Sequence, residues 1–111
     1  MSESINKVMI EELKELMEDD FSLLLETYLT DGDQRLVDLD NAIKDKNIKQ
    51  IRELAHSLKG SSSNLGAETL AEISYKVETM GRETELAGID DAVTQLKKEY
   101  KEVKKYFLSI L

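Results

Sequence analysis

Apolar residues recur at intervals of three and four along most of the chain, with charged residues between them. This spacing is typical of amphipathic α-helices, and no alternating run of β-branched or aromatic residues indicates a strand. The sequence has no proline and five glycines, so few residues would interrupt a helix. The pattern predicts helices over residues 4–18, 19–46, 47–64, 67–80 and 89–110.

Small polar residues and glycines mark the predicted helix ends. Ser2 or Ser4 is placed to cap the first helix, and Asn47 is placed to cap the third. Gly66 follows the third helix, and Gly81 stands directly after the fourth, where a left-handed glycine commonly ends a helix. These residues predict where the chain turns between successive helices.

The second helical segment contains an interruption, TDGD at residues 30–33. It predicts either a break between two helices or a glycine tolerated inside one, and we favour a single helix that bends there. Because the connections are short, neighbouring helices should be antiparallel. We therefore expect an all-α fold, an antiparallel up-and-down four-helix bundle with a short extra N-terminal helix, forming a single domain over residues 1–111.

Composition and charge limit the classes of function. The 111 residues carry a formal net charge of −8, whereas general nucleic-acid binding needs a basic surface. No cysteine is present, which excludes disulfides and thiolate metal sites. The N-terminal stretch is amphipathic, and no run approaches the roughly 18 apolar residues of a membrane-spanning helix. We expect a cytoplasmic protein that binds neither nucleic acid nor membrane.

The only histidine lies in an unusual stretch, HSLKGSSSNLG at residues 56–66, within the third predicted helix. On a helical wheel the apolar residues of this segment fall on one side, within roughly 60° of Ile51. That side comprises Ile51, Leu54, Ala55, Leu58, Ser62 and Leu65. His56 falls about 140° from Ile51, so its imidazole is predicted to be exposed.

A basic strip surrounds the histidine on the same predicted face, formed by Lys49, Arg52, His56 and Lys59 with no acid among them. Gly60, one turn beyond His56, presents no side chain, although glycine inside a helix costs roughly 0.5–1 kcal/mol relative to alanine. On an exposed face the glycine gains no core packing in return. It predicts open space in which another protein can approach the imidazole.

Simpler interpretations of these residues stay open at this point. A surface histidine beside a lysine is often incidental, Gly60 can mark a kink, and the serines can serve only as small residues between helices. A metal site has little support because no second histidine or cysteine accompanies His56, and Glu53 lies on a different predicted face. A serine hydrolase is disfavoured because the serines share the helix of His56 and no nucleophile elbow is visible.

The segment AHSLKGSSSNLGA at residues 55–67 closely resembles the signature of histidine-containing phosphotransfer (HPt) domains of two-component phosphorelays. That signature has a small residue, the phospho-accepting histidine, an apolar residue, Lys-Gly, small residues and then Gly-small. YKVETMGR at residues 75–82 also resembles the end of the family's next helix, and the resemblance extends over residues 21–108. It implies a helical bundle and a phosphoryl group relayed between receiver-domain aspartates.

The resemblance implies a role for each matching residue. His56 would accept and donate the phosphoryl group, and Lys59 would offset its charge. Gly60 would let the partner close over the imidazole, and Glu78 falls where family members often place a glutamine or glutamate that orients the ring. The remaining supporting positions are Arg52 and Ser63.

The resemblance also implies the partners. Response-regulator receiver domains would donate and receive the phosphoryl group, and a hybrid sensor kinase is a further candidate partner. Mg²⁺ and the catalytic acids would belong to the receiver, so the chain would be a carrier without a cofactor of its own and not an enzyme. No P-loop or glycine-rich nucleotide pattern is present, which argues against its own use of ATP. We expect a monomer.

Two other classes remain as alternatives. One is a non-catalytic helical adaptor that binds a partner through the bundle surface, with His56 incidental. The other is the dimerisation bundle of a histidine kinase. That class needs an adjacent ATP-binding domain and typically has an acidic residue directly after the histidine, whereas Ser57 follows here.

Overall fold

The computed structural model describes residues 5–82 and 86–111, and these ranges form five helices without a strand. The helices are α1 (Lys7–Met17), α2 (Asp20–Lys44), α3 (Ile48–Asn64), α4 (Glu68–Arg82) and α5 (Ile89–Ile110). Each long helix packs on its neighbours in sequence, α5 returns to contact α2, and the short α1 lies against α2. The predicted helical bundle with an extra N-terminal helix is confirmed.

The core is formed by the apolar sides of all five helices. The largest fully buried side chains include Phe107, Ile10, Leu25, Leu39, Ile51, Leu58, Leu70 and Leu96. Burying a side chain of this size contributes about 1.5–3 kcal/mol each. On α3 the buried residues are Ile51, Ala55, Leu58 and Ser62, so the side of the helix predicted to face inward does so. His56 is therefore left on the outer face of a helix whose rotation the core fixes.

The interruption at residues 30–33 lies inside one continuous helix, α2, as favoured from the sequence. Gly32 is buried there because Tyr100 of α5 packs directly against it, and a Cβ at this position would lie 2.6 Å from the Tyr100 hydroxyl oxygen. The single O–H of Tyr100 is shared between two acceptors, the Leu29 carbonyl oxygen at 3.0 Å and Asp33 Oδ1 at 2.8 Å. The glycine thus admits a tyrosine that joins α2 to α5.

The cap predicted for the first helix is wrong. Asn6 caps α1, accepting a hydrogen bond from the Met9 backbone N–H at 3.1 Å, while Ser2 and Ser4 lie outside the described residues. The backbone N–H of Asn6 also donates to the Gly66 carbonyl at 2.8 Å. This bond ties the start of α1 to the turn after α3.

The two glycines predicted to end helices behave differently. Gly66 has φ of +75° and lies in the turn after α3, as expected. Gly81 does not follow the fourth helix, because α4 continues through it to Arg82. It is buried against α3, and a Cβ there would lie 3.3 Å from Arg52 Cβ and 3.4 Å from the Arg52 backbone nitrogen. Gly81 therefore lets α3 and α4 approach closely.

None of the helices in residues 5–82 and 86–111 is long and apolar enough to cross a bilayer.

Candidate functional site: an exposed histidine on α3

His56 projects from the outer face of α3, with 66% of its side chain exposed, as the helical wheel predicts. The helix that carries it begins at the predicted cap, where the Asn47 side chain accepts a hydrogen bond from the Gln50 backbone N–H at 3.1 Å. A hollow of about 300 Å³ lies beside the imidazole and is lined by Arg52, Glu53, His56 and Glu78. Glu53 thus borders the same hollow as His56, contrary to its predicted position on another face.

The imidazole is held through one of its two nitrogens. Nδ1 of His56 lies 2.9 Å from Oε2 of Glu78 on α4. An ionised carboxylate can only accept, so Nδ1 carries the proton in this contact. In the neutral ring the lone pair then belongs to Nε2, on the other side of the imidazole, and Nε2 is the nitrogen available as a nucleophile.

Glu78 is a buried carboxylate surrounded by basic groups, with 5% of its side chain exposed. Lys59 Nζ lies 3.2 Å from Oε1, and Arg82 Nη2 lies 3.0 Å from Oε2. Burial by itself would raise the pKa of Glu78, but hydrogen bonds and charge from Lys59 and His56 outweigh it and hold the pKa below its ordinary value of 4.5. Glu78 is therefore ionised at neutral pH, which fixes it as the acceptor.

Lys59 is held on two sides. Besides its ion pair with Glu78, its ammonium nitrogen lies 4.9 Å from the centre of the Tyr75 ring, a cation–π contact. The sequence placed Lys59 in a basic strip without an acid, and this picture is incomplete because α4 brings Glu78 into the strip. The cation is thus positioned one turn from His56 and partly neutralised.

Gly60 faces open space, as predicted. Apart from its chain neighbours and the nearby backbone of α3 itself, a Cβ added to it would have no heavy atom within 4 Å, and α3 runs through it without a break. The glycine therefore serves neither core packing nor an interruption of the helix. It lines a second hollow of about 520 Å³ between α3 and α4, whose other residues include Lys59, Ser63, Asn64 and Tyr75.

The structure brings most of the predicted site together but not all of it. Arg52 borders the hollow of His56, and Lys59 and Glu78 form the ion pair beside it. Ser63 is exposed on the neighbouring hollow, next to Gly60 and Lys59. In residues 5–82 and 86–111 no three His, Asp or Glu side chains form a group that could hold a metal ion.

Two contacts of the site were missed in the sequence. Arg82 binds Glu78 from the next turn of α4, and Tyr75 lies under the ammonium of Lys59. The spacing of Arg82 four residues after Glu78 is a signal that could have been used, because such pairs lie side by side on a helix. Tyr75 has no comparable signal, since its contact depends on how α4 packs on α3.

Comparison with known proteins places this arrangement in a family. The profile described as "Hpt domain" matches residues 23–106, more than half of the 111-residue chain. The chain belongs to the Hpt domain family. The match begins near the start of α2 and ends near the end of α5, so it includes the whole of α3 and α4 and every site residue described above.

Two relatives of this Hpt chain are informative. It is 31% identical to histidine-containing phosphotransfer protein B from Pseudomonas aeruginosa PAO1, whose crystal structure it matches with a TM-score of 0.94 over 98% of this chain and 95% of that one. It is 34% identical over 82 residues to the phosphorelay intermediate protein rdeA of Dictyostelium discoideum, covering 74% of this chain. The chain spans only 32% of the length of rdeA.

Proposed function

We propose that this Hpt chain carries a phosphoryl group between receiver domains in two-component signalling. His56 accepts the group from a receiver aspartyl phosphate and passes it to the aspartate of another receiver. The observation that carries the proposal is the exposed imidazole on α3 whose Nδ1 is bound to the buried carboxylate of Glu78. The family match and the similarity to a phosphorelay intermediate and to a histidine-containing phosphotransfer protein support the same reaction.

The geometry at His56 suits a nucleophile that is also a good leaving group. The Nε2 lone pair attacks phosphorus, a P–N bond forms, and the P–O bond to the receiver aspartate breaks with its electron pair leaving on the carboxylate. The ring gains positive charge while Nδ1 keeps its proton. Glu78 lies 2.9 Å from Nδ1, where its negative charge stabilises that developing cation. Transfer to the second receiver reverses these bond changes.

Lys59 interacts with the incoming phosphoryl group, and Gly60 gives access to the receiver that brings it. The ammonium of Lys59, on a flexible stem, offsets the negative charge of the phosphoryl group one turn from His56. Gly60 leaves the space beside the imidazole open, so the receiver backbone can approach. Arg52 adds positive charge at the edge of the hollow, and Ser63 offers a hydroxyl at the neighbouring one.

We assign the catalysis itself to the receiver. Phosphoryl transfer depends on positioning and on neutralising charge, and the receiver would contribute Mg²⁺ and the acidic groups that bind it. This chain contributes a nucleophile, its orienting carboxylate and nearby cations. It would need neither ATP nor a cofactor of its own, and it would act as a carrier and not as an enzyme.

The partners and setting follow from the same reaction. We propose receiver domains of response regulators as donor and acceptor, and a hybrid sensor kinase as a further partner. The protein would be a cytoplasmic monomer with residues 1–111 in a single domain. A net charge of −8 supports the expectation that neither nucleic acid nor an anionic membrane is a partner.

Transfer from a phosphorylated receiver tests the proposal. Wild-type protein should gain a label that is lost in acid and survives alkali, the behaviour of phosphohistidine, while His56→Gln should gain none. Label that persists in H56Q would disprove the assignment. Absence of label in the wild-type protein, with receiver binding that is unchanged in H56Q, would favour a helical adaptor instead.

A further inference from the structure

Arg82, the last residue of α4, stands one helical turn after Glu78 and binds it directly. Arg82 Nη2 lies 3.0 Å from Glu78 Oε2, the oxygen that also lies 2.9 Å from His56 Nδ1. The Arg82 side chain is half-exposed, so it reaches the buried carboxylate from the protein surface. One carboxylate oxygen is thus shared between a surface cation and the histidine.

Both oxygens of Glu78 are held by cations from different helices. Lys59 on α3 forms an ion pair with Oε1 at 3.2 Å, and Arg82 on α4 donates a hydrogen bond to Oε2 at 3.0 Å. With both contacts present, the carboxylate has little freedom to rotate about its last torsion, which is otherwise broad. The direction in which Oε2 accepts the Nδ1–H of His56 is therefore set by Arg82.

We propose that Arg82 is a positioning residue for phosphotransfer, holding Glu78 Oε2 against Nδ1 of His56 and so fixing the tautomer and ring orientation that leave Nε2 free to react. This inference rests on the proposed function, because it assumes that His56 carries the phosphoryl group. Arg82 itself does not contact the reacting nitrogen.

Lys59 and Arg82 have different roles when the phosphoryl group arrives. The group brings negative charge to His56, one turn from Lys59 on α3, and the compact ammonium of Lys59 can turn from Glu78 toward the phosphoryl oxygens. Arg82 is bound to Oε2 from the same helix as Glu78, and it remains to hold the carboxylate in place. Orientation of His56 is therefore maintained while Lys59 is engaged elsewhere.

Three substitutions test this role. Arg82→Gln removes the cation, Arg82→Lys keeps a charge that can reach Glu78, and Lys76→Gln is a matched control. Lys76 is exposed on α4 two residues before Glu78, so it faces away from the carboxylate while its loss changes the net charge equally. Circular dichroism establishes that each variant is folded before any comparison.

Three measurements separate positioning from docking. Nitrogen-15 spectra of the imidazole report which ring nitrogen carries the proton. Single-turnover transfer, measured against the concentration of phosphorylated receiver, gives a maximal rate and a half-saturating concentration. Labelling of His56 by phosphoramidate, a small donor whose P–N bond breaks to release ammonia, shows whether the effect persists without a protein partner.

The proposal expects R82Q to lose the preference for the Nδ1–H tautomer and to transfer roughly tenfold more slowly at saturating receiver, because a misplaced reacting group commonly costs factors of ten or more. The same slowing should appear with phosphoramidate. R82K should recover part of the rate, and K76Q should match wild type.

Other outcomes would overturn the proposal. A wild-type tautomer in R82Q would show that Glu78 does not need Arg82. A change confined to the half-saturating concentration would make Arg82 a docking residue, and an unchanged rate would remove any role in transfer. If the wild-type protein is not labelled by any donor, the proposed function is refuted instead. The nitrogen-15 spectra still test the role of Arg82 in that case, because they do not depend on phosphotransfer.

Discussion

His56 Nδ1 and Glu78 Oε2 lie 2.9 Å apart, although the two residues are 22 positions apart in the sequence and belong to different helices. The imidazole is two-thirds exposed, whereas the carboxylate is almost fully buried. A change at Glu78 therefore alters the chemistry of the nucleophile while leaving the surface that meets the partner nearly unchanged. This makes Glu78 the clearest position at which to test the site.

Glu78→Gln keeps an oxygen that can accept from Nδ1 but removes the negative charge that stabilises the cationic ring. We expect transfer through His56 to slow roughly tenfold in E78Q and further in E78A, by analogy with metal-binding histidines, where loss of the carboxylate that orients the ring costs about 10–100-fold. Single-turnover transfer from a phosphorylated receiver measures the rate. The half-saturating receiver concentration should stay close to wild type, and a wild-type rate in E78A would contradict the role given to Glu78.

The lowered pKa of Glu78 predicts how its contribution to stability depends on acid. Because its pKa in the folded chain lies below the ordinary value of 4.5, the unfolded chain binds a proton at this group before the folded chain does. The stabilising contribution is therefore full above pH 4.5 and is lost as the pH falls through the folded pKa.

Urea unfolding of wild type and E78Q across this range checks that prediction. The difference in free energy of unfolding between the two proteins should be largest near neutral pH and should shrink in acid, since protonated Glu78 and glutamine are both uncharged. Other carboxylates titrate equally in both proteins and cancel from the comparison. A difference that does not vary with pH would show that the charge of Glu78 does not stabilise the fold.

The raised pKa of Tyr28 predicts that the folded chain loses stability in alkali. Burial raises the pKa of Tyr28 from 10.0 to about 12, although its hydrogen bond with Ser62 and the charge of Arg35 act in the opposite direction. A raised pKa favours the folded state only while the phenol is protonated, so this contribution is present below pH 10.0 and is lost as the pH rises toward about 12.

The variant Tyr28→Phe isolates this effect. At neutral pH it should be less stable by about 1 kcal/mol, because the 2.7 Å hydrogen bond to Ser62 is lost. The deficit should narrow as the pH approaches 12, where wild type loses the contribution of its neutral phenol. Chemical unfolding over this pH range measures both changes, and a phenolate signal from Tyr28 at its ordinary pKa would refute the prediction.

Gly60 and Gly66 form a matched pair for testing the role of open space. Alanine at Gly60 would meet nothing within 4 Å, whereas alanine at Gly66 would have φ of +75° and a Cβ 3.2 Å from the Asn6 carbonyl oxygen. We expect G60A to be stabilised by about 0.5–1 kcal/mol through helix propensity. G66A should be destabilised by roughly 1 kcal/mol or more, because its backbone conformation is strained.

The functional effect should run opposite to stability at Gly60. On the proposed role of Gly60, a Cβ there would occupy space that the partner backbone needs, so receiver-dependent transfer should slow in G60A and more in Gly60→Leu. Labelling of His56 by phosphoramidate should remain at the wild-type rate because the small donor does not need that space. Equal slowing with both donors would mean that Gly60 affects the imidazole itself and not the approach of the partner.

Much of the fold was predictable because it depends on periodicity that each segment carries by itself. The inward side of α3 and the exposure of His56 follow from residue spacing alone. The end of α4 could not be predicted from residue spacing, since a glycine just after a helix and a glycine inside one look alike in sequence. Only the contact of Gly81 with Arg52 on α3 distinguishes them, and that contact is tertiary.

The same limit applies to the first cap and to the basic strip. Ser2, Ser4 and Asn6 are all good capping residues, and the bond from the Asn6 backbone to Gly66 favours Asn6. The acidic residue beside the basic strip is Glu78 on α4, so its contacts with the strip could not be predicted from the sequence of α3. The family resemblance supplied Glu78 as a candidate, whereas its distances to His56, Lys59 and Arg82 depend on the register between two helices.

The close approach of α3 and α4 at Gly81 brings the site together from residues that are near one another in the sequence. The proposed nucleophile, its carboxylate partner and both cations lie on one helical hairpin, Ile48–Asn64 and Glu68–Arg82, joined by a three-residue turn at 65–67. Ordering these groups closes a loop of only 22 residues between His56 and Glu78, which is a small entropic cost for a folding chain. The reactive chemistry is therefore encoded locally, and the remaining helices act as a support whose surfaces can change without altering it.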